Sequence, residues 1–257
     1  MALFDDLALS LARTAREAGR ILAKMQPQNP PPELKADAPP VTAADRAAEA
    51  LILAALKRDF PDVPIISEEN TASHVALASS RFFLVDPLDG TRAFIAGTSD
   101  FCVSIGLVEN GVPVAGALHA PIADETVWAG ESLWRAAGEI AHAEPFPPAP
   151  EPDPARPRIA VASKLHNNAE TDRVLAELGV AQVIRMSSAL KFVALVSGEA
   201  DVYPRRGRTM QWDIAAGDAI LRARGGGLLD DEGRLLHYGF GALGWESPPF
   251  LALRDLP

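Results

Sequence analysis

The sequence predicts a layered α/β fold made of two closely packed subdomains. Two helical patterns open the chain, a strand-rich stretch follows, and strands alternate with helices in the second half. With 257 residues, the chain exceeds the usual size of one compact domain. The proline-rich stretch at 143–157 is the best candidate for a connector, so we expect subdomains at 1–150 and 151–257.

The chain opens with two predicted helices. Leucine and alanine recur at helical spacing over residues 3–25, with charged residues between them, which is typical of an amphipathic helix. A proline-rich loop follows at 27–40. A second helix is predicted from Ala43 to Arg58, with Thr42 as its N-cap.

Strands are predicted for the rest of the first half. They are favoured by short runs rich in β-branched and aromatic residues at 64–67, 81–85, 101–108, 112–119 and 126–130. Asn110-Gly111 is a favoured tight-turn pair, so the third and fourth of these runs form a hairpin.

Beyond the connector, strand and helix patterns alternate. The predicted strands are RIAVAS, QVIRMS and ADVYP, and the predicted helices are AETDRVLAELG, SALKFVALVSG and WDIAAGDAILRARG. This alternation is what predicts an α/β second half.

Composition and charge exclude several classes of protein. The formal net charge is −10 and the sequence shows no basic stripe, which argues against a duplex nucleic-acid binder. The one cysteine, Cys102, lies in an apolar run and is expected to be a core residue rather than a nucleophile. No signal-peptide pattern or bilayer-length apolar stretch is present, so we expect a cytoplasmic protein without an integral membrane segment. Peripheral association with the inner membrane stays open.

The segment DPLDGT carries two carboxylates, Asp86 and Asp89, at the end of a buried strand. Two such groups three residues apart can converge on one site, and hard cations such as Mg²⁺ prefer oxygen ligands. The ordinary alternative is a loop whose aspartates cap a turn.

The rest of this segment suits phosphate chemistry. Pro87 restricts the backbone, so the Leu88 carbonyl could face the same cavity as a further oxygen ligand. Gly90 permits a tight turn, and Thr91 stands where a helix could begin, with free N–H groups suited to a phosphate.

Other acidic residues occupy comparable positions. Glu68 and Glu69 follow a predicted strand, while Asp45 and Asp213 lie near predicted helix starts. Each alone has an ordinary explanation as a solvated charge or a favourable helix-dipole partner. Together they indicate a ligand site, because α/β folds bind ligands at such ends. Carboxylates without histidine or cysteine favour Mg²⁺ over Zn²⁺.

The chain contains four motifs in this order: VTAAD, SEE, DPLDGT and WDIAAGDA. The same order is found in the inositol monophosphatase superfamily of metal-dependent phosphatases. The chain therefore resembles that superfamily from about residue 15 to 253. The resemblance implies an αβαβα sandwich. The segments VPIISEE, SSALKF and YPRRGRTMQWDIAAG are most similar to bacterial 3′(2′),5′-bisphosphate nucleotidases. Those enzymes remove the 3′-phosphate from adenosine 3′,5′-bisphosphate, a by-product of sulfate assimilation.

The resemblance also implies the metal ligands. Two or three Mg²⁺ ions are expected per site. Glu68, Asp86 and the Leu88 carbonyl would hold one ion, while Asp86, Asp89 and Asp213 would hold a second.

Catalytic and substrate roles follow from the same resemblance. Asp45 and Thr91 would orient and activate the attacking water, with Glu68 as the third catalytic residue. The small-molecule substrate, a nucleotide bisphosphate, would contact Gly90, Thr91, Ser188, Lys191, Arg205 and Asp213. Inhibition by Li⁺ is a further implication.

Two departures from the family pattern stand out. Arg92-Ala93 follows DGT where the nucleotidases have Lys-Glu, and the loop carrying Lys35 is unusually rich in proline. An inositol or sugar phosphatase remains an alternative, as does a non-catalytic binding protein. A monomer and a homodimer are equally compatible with the sequence. His119, in a predicted strand, is expected to be structural.

Overall fold

The computed structural model describes residues 3–28, 41–76, 79–150, 156–164 and 168–256. Its α-helices are α1 (Leu3–Met25), α2 (Ala43–Asp59), α3 (Thr91–Ile95), α4 (Ala169–Glu177), α5 (Leu190–Ser197) and α6 (Ala215–Arg222). Its strands are β1 (Ile65–Ser67), β2 (Arg81–Asp89), β3 (Cys102–Glu109), β4 (Val112–Ala120), β5 (Glu125–Ala129), β6 (Leu133–Ala137), β7 (Glu144–Pro145), β8 (Ile159–Ser163), β9 (Gln182–Met186), β10 (Val202–Arg205), β11 (Gly227–Leu229) and β12 (Phe250–Leu253).

The first sheet contains the seven strands β1 to β7 in sequence order. β1 and β2 are parallel, and every later neighbour pairs antiparallel. The predicted hairpin is confirmed: β3 and β4 turn at Asn110 and Gly111, whose φ angles of 51° and 76° suit a primed turn.

The second sheet has the order β11-β12-β10-β8-β9. β8 pairs in parallel with both β9 and β10, as the alternating pattern predicts, whereas β12 runs antiparallel between β10 and β11. The predicted α/β class is therefore confirmed.

Five layers alternate through the molecule. Phe83 and Val85 of β2 pack with α1 and α2 on one face of the first sheet, while Phe82 and Leu84 face the core that contains α5 and α6. This is the period-two alternation of a strand covered on both faces. A smaller cluster joins α4 to the far face of the second sheet through Leu175. The order is αβαβα, as expected.

The C-terminal helix prediction is wrong in its first turn. The segment from 212 to 225 is not one helix, because a 3-10 turn (Gln211–Asp213) precedes α6 and Ile214 breaks the helical backbone between them. The Asp213 carboxylate accepts the Met210 N–H at 2.9 Å and closes this turn. Asp213 is therefore held in a separate turn ahead of the helix.

Some predictions remain open. The division at 150/151 stays a prediction, although each sheet is built from strands on one side of it. Lys35 and residues 151–155 of the predicted connector lie outside the described residues. Cys102 is buried and unpaired, as predicted. None of the helices described here is long and apolar enough to cross a bilayer.

Candidate active site

A cleft of about 680 Å³ opens where β2, the 3-10 turn before α6, and the start of α5 meet. Ten of the residues expected to form the site line it: Glu68, Asp86, Leu88, Asp89, Gly90, Thr91, Ser188, Lys191, Arg205 and Asp213. The eleventh, Asp45, lies behind the lining and is bonded to Thr91. Residues distant in sequence therefore share one cavity.

An acidic cluster forms one end of this cleft. Carboxylate oxygens of Glu68, Asp86 and Asp213 lie within 4.8 Å of one another. The parallel pairing of β1 with β2 brings the first two together, because both strands end at the same edge and the Glu68 N–H bonds to the Val85 carbonyl at 3.0 Å. Ser104 of β3 donates to the Trp212 carbonyl at 3.2 Å and so fixes the turn that carries Asp213.

Burial governs the electrostatics of this cluster. It raises the pKa of Glu68 and Asp86 well above their usual range, and repulsion from the neighbouring carboxylates adds to the effect. Burial, followed by repulsion from Asp89, raises the pKa of Asp213 to about 7. Cations bound among the oxygens would stabilise such a crowded, desolvated group of carboxylates in its charged form. An all-oxygen donor set of this kind fits hard divalent ions such as Mg²⁺.

Asp89 connects the acidic cluster to a basic wall. Burial raises the pKa of Asp89, and the charge of Lys191 opposes this rise. Its carboxylate accepts the Ala189 N–H. That N–H is presented by Ser188, which adopts the left-handed backbone conformation with φ of 58°, uncommon for a residue other than glycine. The strained residue lies in the cleft itself, as is common at functional sites.

Lys191 is buried in this wall. Its Nζ donates to the Ser188 carbonyl and lies 5.2 Å from the centre of the Tyr203 ring. Burial lowers the pKa of Lys191 to about 8. The ammonium group is therefore aimed into a desolvated region beside Asp89, where an anionic ligand would be held strongly.

Thr91 and Asp45 form a hydrogen-bonded pair below the cleft. Thr91 Oγ1 lies 3.3 Å from Asp45 Oδ1 and 3.1 Å from the Leu88 carbonyl oxygen. The hydroxyl has one hydrogen, so these two acceptors compete for it. Burial raises the pKa of Asp45 to about 6, against the hydrogen bonds that it accepts from Thr42.

Gly90 sets the start of α3. Its φ is 96°, and a Cβ there would lie 2.8 Å from the Asp100 carbonyl oxygen, so glycine is required at this turn. The first N–H groups of a helix have no partner within it, and those of α3 begin at the edge of the cleft. An anionic group of a ligand could bind there.

Arg205 is buried at the end of β10. Its Nη2 donates to the Arg208 carbonyl at 2.6 Å and its Nε donates to Thr209, so part of the guanidinium supports the loop. Arg208 lines the rim of the cleft, with its Nε 3.0 Å from Glu246. The sequence does not single out Arg208 as a cleft residue, because nothing local distinguishes it from Arg206.

His74 was also missed. Its ring stacks on Trp212 with 4.7 Å between ring centres, and both residues line the cleft. The position of His74, six residues after Glu68, could have drawn attention to it. The stack itself is a long-range contact that no local pattern predicts.

Comparison with known proteins identifies the family of the chain. The sequence matches the profile of the inositol monophosphatase family over residues 6–249. It is 38% identical over 232 residues to the 3′(2′),5′-bisphosphate nucleotidase CysQ of Salmonella typhimurium, covering 89% of this chain and 92% of that protein.

Solved structures agree with the sequence match. CysQ from Bacteroides thetaiotaomicron superposes with a TM-score of 0.80 and 30% identity, covering 98% of both chains. The IMPase of Thermotoga maritima gives a TM-score of 0.76 at 25% identity, over 98% of this chain and 93% of that one. The resemblance inferred from the four motifs is confirmed, and the chain belongs to the inositol monophosphatase family, whose members are metal-dependent.

Proposed function

We propose that this protein is a Mg²⁺-dependent phosphatase that hydrolyses the 3′-phosphate of adenosine 3′,5′-bisphosphate to give adenosine 5′-monophosphate. The observation that carries the proposal is a cleft with a carboxylate cluster at one end, made of buried Asp86 and half-buried Glu68 and Asp213, and buried cationic side chains at the other. The nucleotidase activity named for the Salmonella typhimurium relative supports the choice of substrate.

The metal ligands are proposed as a set. Glu68, Asp86, Asp89, Asp213 and the Leu88 carbonyl would hold two or three Mg²⁺ ions. Bound ions would lower the pKa of water and stabilise charge on the reacting oxygens. Glu68 would contribute to catalysis through this set.

Thr91 and Asp45 would handle the proton of the attacking water. As the water oxygen bonds to phosphorus, its proton would pass to Thr91 Oγ1 while the proton of Thr91 passes to Asp45 Oδ1. The bond between phosphorus and the ribose 3′ oxygen breaks, and that oxygen takes a proton from solvent. Because Asp45 is buried, bulk water does not compete with Thr91 for its carboxylate.

The substrate would lie across the cleft. The N–H groups of Gly90 and Thr91 would receive the reacting phosphate at the start of α3. Ser188, Lys191 and Arg205 would face the nucleotide and its second phosphate, while Asp213 would contact the reacting end. An unpaired buried cation is costly, so a substrate with both phosphates should be preferred.

The wider setting is proposed from the same activity. A cytoplasmic role in sulfur metabolism fits the substrate, and inhibition by Li⁺ fits a site built for small hard cations. Both a monomer and a homodimer are compatible with a cleft whose eleven expected residues come from one chain.

The test is a substrate comparison with Mg²⁺ supplied. We expect kcat/KM for adenosine 3′,5′-bisphosphate to exceed that for inositol 1-phosphate and fructose 1,6-bisphosphate. If the inositol ester had the highest value, the nucleotidase assignment would be wrong. Failure to hydrolyse any phosphate monoester would favour a binding protein.

Asp213→Asn tests whether Asp213 is a metal ligand needed for turnover. The amide oxygen can still accept the Met210 N–H, so the fold should be retained, while kcat falls by about 100-fold or more. Full activity in this variant would remove Asp213 from the metal site.

A further inference from the structure

Asp45 divides its two carboxylate oxygens between different partners. Oδ2 accepts the Thr42 N–H and the Thr42 hydroxyl, each at 2.7 Å. Oδ1 is left facing Thr91 Oγ1 at 3.3 Å. The two bonds to Oδ2 fix the plane of the carboxylate and therefore the place of Oδ1.

The Thr42 hydroxyl is itself oriented. Its oxygen accepts the Ala44 N–H at 3.1 Å, which leaves its single hydrogen for Asp45. Thr42 is 1% exposed and Asp45 is 2% exposed, so water does not compete for these bonds. Hydrogen bonds in such surroundings are stronger and more directional than at the surface.

This orientation decides where the Thr91 hydrogen goes. Asp45 Oδ1 and the Leu88 carbonyl are alternative acceptors at 3.3 and 3.1 Å. The carbonyl is fixed by the backbone, whereas the carboxylate can rotate unless something holds it. A rotated Asp45 would lose the competition, and Thr91 could no longer pass its proton to the carboxylate.

We propose that Thr42 is a positioning residue for catalysis: its N–H and hydroxyl hold Asp45 so that Oδ1 accepts from Thr91. This inference rests on the proposed phosphatase function, in which the Thr91–Asp45 pair takes the proton of the attacking water. Thr42 therefore has two roles, because the same side chain also caps the N-terminus of α2.

The chain provides a matched control for the capping role. Asn168 caps α4 with its side-chain oxygen, which accepts the Thr171 N–H and hydroxyl at 2.9 Å each. Asn168 is exposed and does not line the cleft. Asn168→Ala therefore removes a helix cap without touching Asp45.

The experiment compares Thr42→Val, Thr42→Ser and Asn168→Ala in steady-state hydrolysis with Mg²⁺ and in thermal melting. Valine keeps the shape but lacks the hydroxyl, so kcat should fall about tenfold or more, while KM changes by less than about twofold. Serine keeps both hydrogen bonds and should retain most of the wild-type kcat. Asn168→Ala should lower Tm and leave kcat at the wild-type value.

Thr42→Gly covers the case in which the valine variant does not fold. Glycine is a good N-cap but has no hydroxyl, so it should fold and show the same loss of kcat. An unchanged kcat in the valine or glycine variant would overturn the inference, as would an equal loss in Thr42→Ser or Asn168→Ala. Absence of turnover in the wild-type protein would instead contradict the proposed function.

Discussion

Arg205, the last residue of β10, and Arg208, three residues further on, differ in how much of the guanidinium is available to a ligand. Arg205 is 9% exposed and is partly used to hold its own loop, while Arg208 is exposed at the rim of the cleft, with its Nε bound to Glu246. A rim cation that is already anchored loses little entropy when it binds an anion. Under the proposed function, Arg208 would therefore contribute, together with Arg205, to recognition of the second phosphate.

Arg208→Gln should weaken selection for that phosphate. We expect the ratio of kcat/KM for adenosine 3′,5′-bisphosphate to that for adenosine 3′-monophosphate to fall about tenfold, equivalent to about 1.4 kcal/mol. Arg206→Gln is the matched control, because Arg206 pairs with Asp231 outside the cleft lining and should leave the ratio unchanged. Equal ratios in the wild type and both variants would place the second phosphate elsewhere.

The carboxylates were predictable residue by residue because each lies near the end of a strand or the start of a helix. Glu68 follows β1 and Asp86 follows Val85, the β2 residue paired with Ser67, so their meeting follows from the parallel register. The backbone angle of Ser188 was not predictable. It depends on Asp89 and Tyr203, which come from other elements and hold the Ala189 N–H and Lys191 in place.

Contacts between helix and sheet set the position of Asp213. A Cβ on Gly116 of β4 would lie 2.6 Å from the Ala216 carbonyl oxygen, and one on Gly106 of β3 would lie 2.9 Å from Ala215. The two glycines allow α6 to lie directly on the first sheet. The helix begins two residues after Asp213, so the packing of α6 on the sheet also sets the position of Asp213 in the acidic cluster.

Gly116→Ala should push α6 away from the sheet. Overpacking against backbone cannot be relieved by a rotamer change, so we expect a loss of about 1–3 kcal/mol in unfolding free energy and weaker Mg²⁺-dependent stabilisation. Denaturant unfolding with and without Mg²⁺ measures both effects. Gly241→Ala is the control, because a Cβ there meets nothing within 4 Å. Equal unfolding free energies for the two variants would contradict the close packing of α6 on the sheet.

The packing of α1 on β4 buries His119, which confirms its predicted structural role. Its Nδ1 lies 2.9 Å from Thr126 Oγ1, and its ring occupies the space where a Cβ of Gly19 would be. Burial lowers its pKa from 6.5 to about 4, only partly opposed by the charge of Asp124. The neutral imidazole is therefore the form that fits between helix and strand.

This burial makes stability depend on pH. Below 6.5 the unfolded chain takes up a proton that folded His119 does not, so unfolding free energy should fall as pH drops from 6.5 towards 4. The shift corresponds to at most about 3 kcal/mol. Urea unfolding of the wild type and His119→Gln across this range isolates the effect. Parallel curves for the two proteins would show that His119 is not the source.

Helices and strands were predictable where the element is long enough for its apolar residues to repeat several times. α1 begins and ends at the predicted residues because six turns repeat the same apolar face. β11 and β12 were missed because runs of three and four residues carry no clear period. The turn before α6 is predicted as part of a helix because WDIAAG has helical composition. The break depends on the Met210–Asp213 contact and on the backbone of Ile214, which the composition does not reveal.

At the scale of the molecule, the cleft gathers charges from both sheets. Glu68 and Asp86 come from the edge of the first sheet, while Lys191 and Arg205 come from elements of the second half. These opposite charges lie far apart in the sequence and meet in the folded chain, so no charged segment of the sequence marks the cleft. The layered order was predictable through the family motifs, since no local pattern specifies how two sheets stack.

This arrangement links metal binding to proton release. Without metal, burial and mutual repulsion raise the pKa of Glu68 and Asp86 well above their usual range, and that of Asp213 to about 7. Below that pH the Asp213 carboxyl holds a proton, which a cation bound at the cluster would have to displace. Because the carboxyl pKa values are raised, the metal-free folded protein is more stable at low pH, where the carboxyls are protonated. A bound cation would instead stabilise the ionised carboxylates, which predominate at high pH.

Mg²⁺ affinity should therefore weaken as pH falls from about 8 to about 6, and binding should release protons. Calorimetric titration in two buffers of different ionisation enthalpy counts these protons directly. Asp213→Asn removes one titrating carboxyl and should release fewer. Affinity that is constant over this range, with no proton release, would mean that the cluster is already ionised and that its buried charges are balanced by Lys191 and Arg205, both of which oppose the rise in the Asp213 pKa.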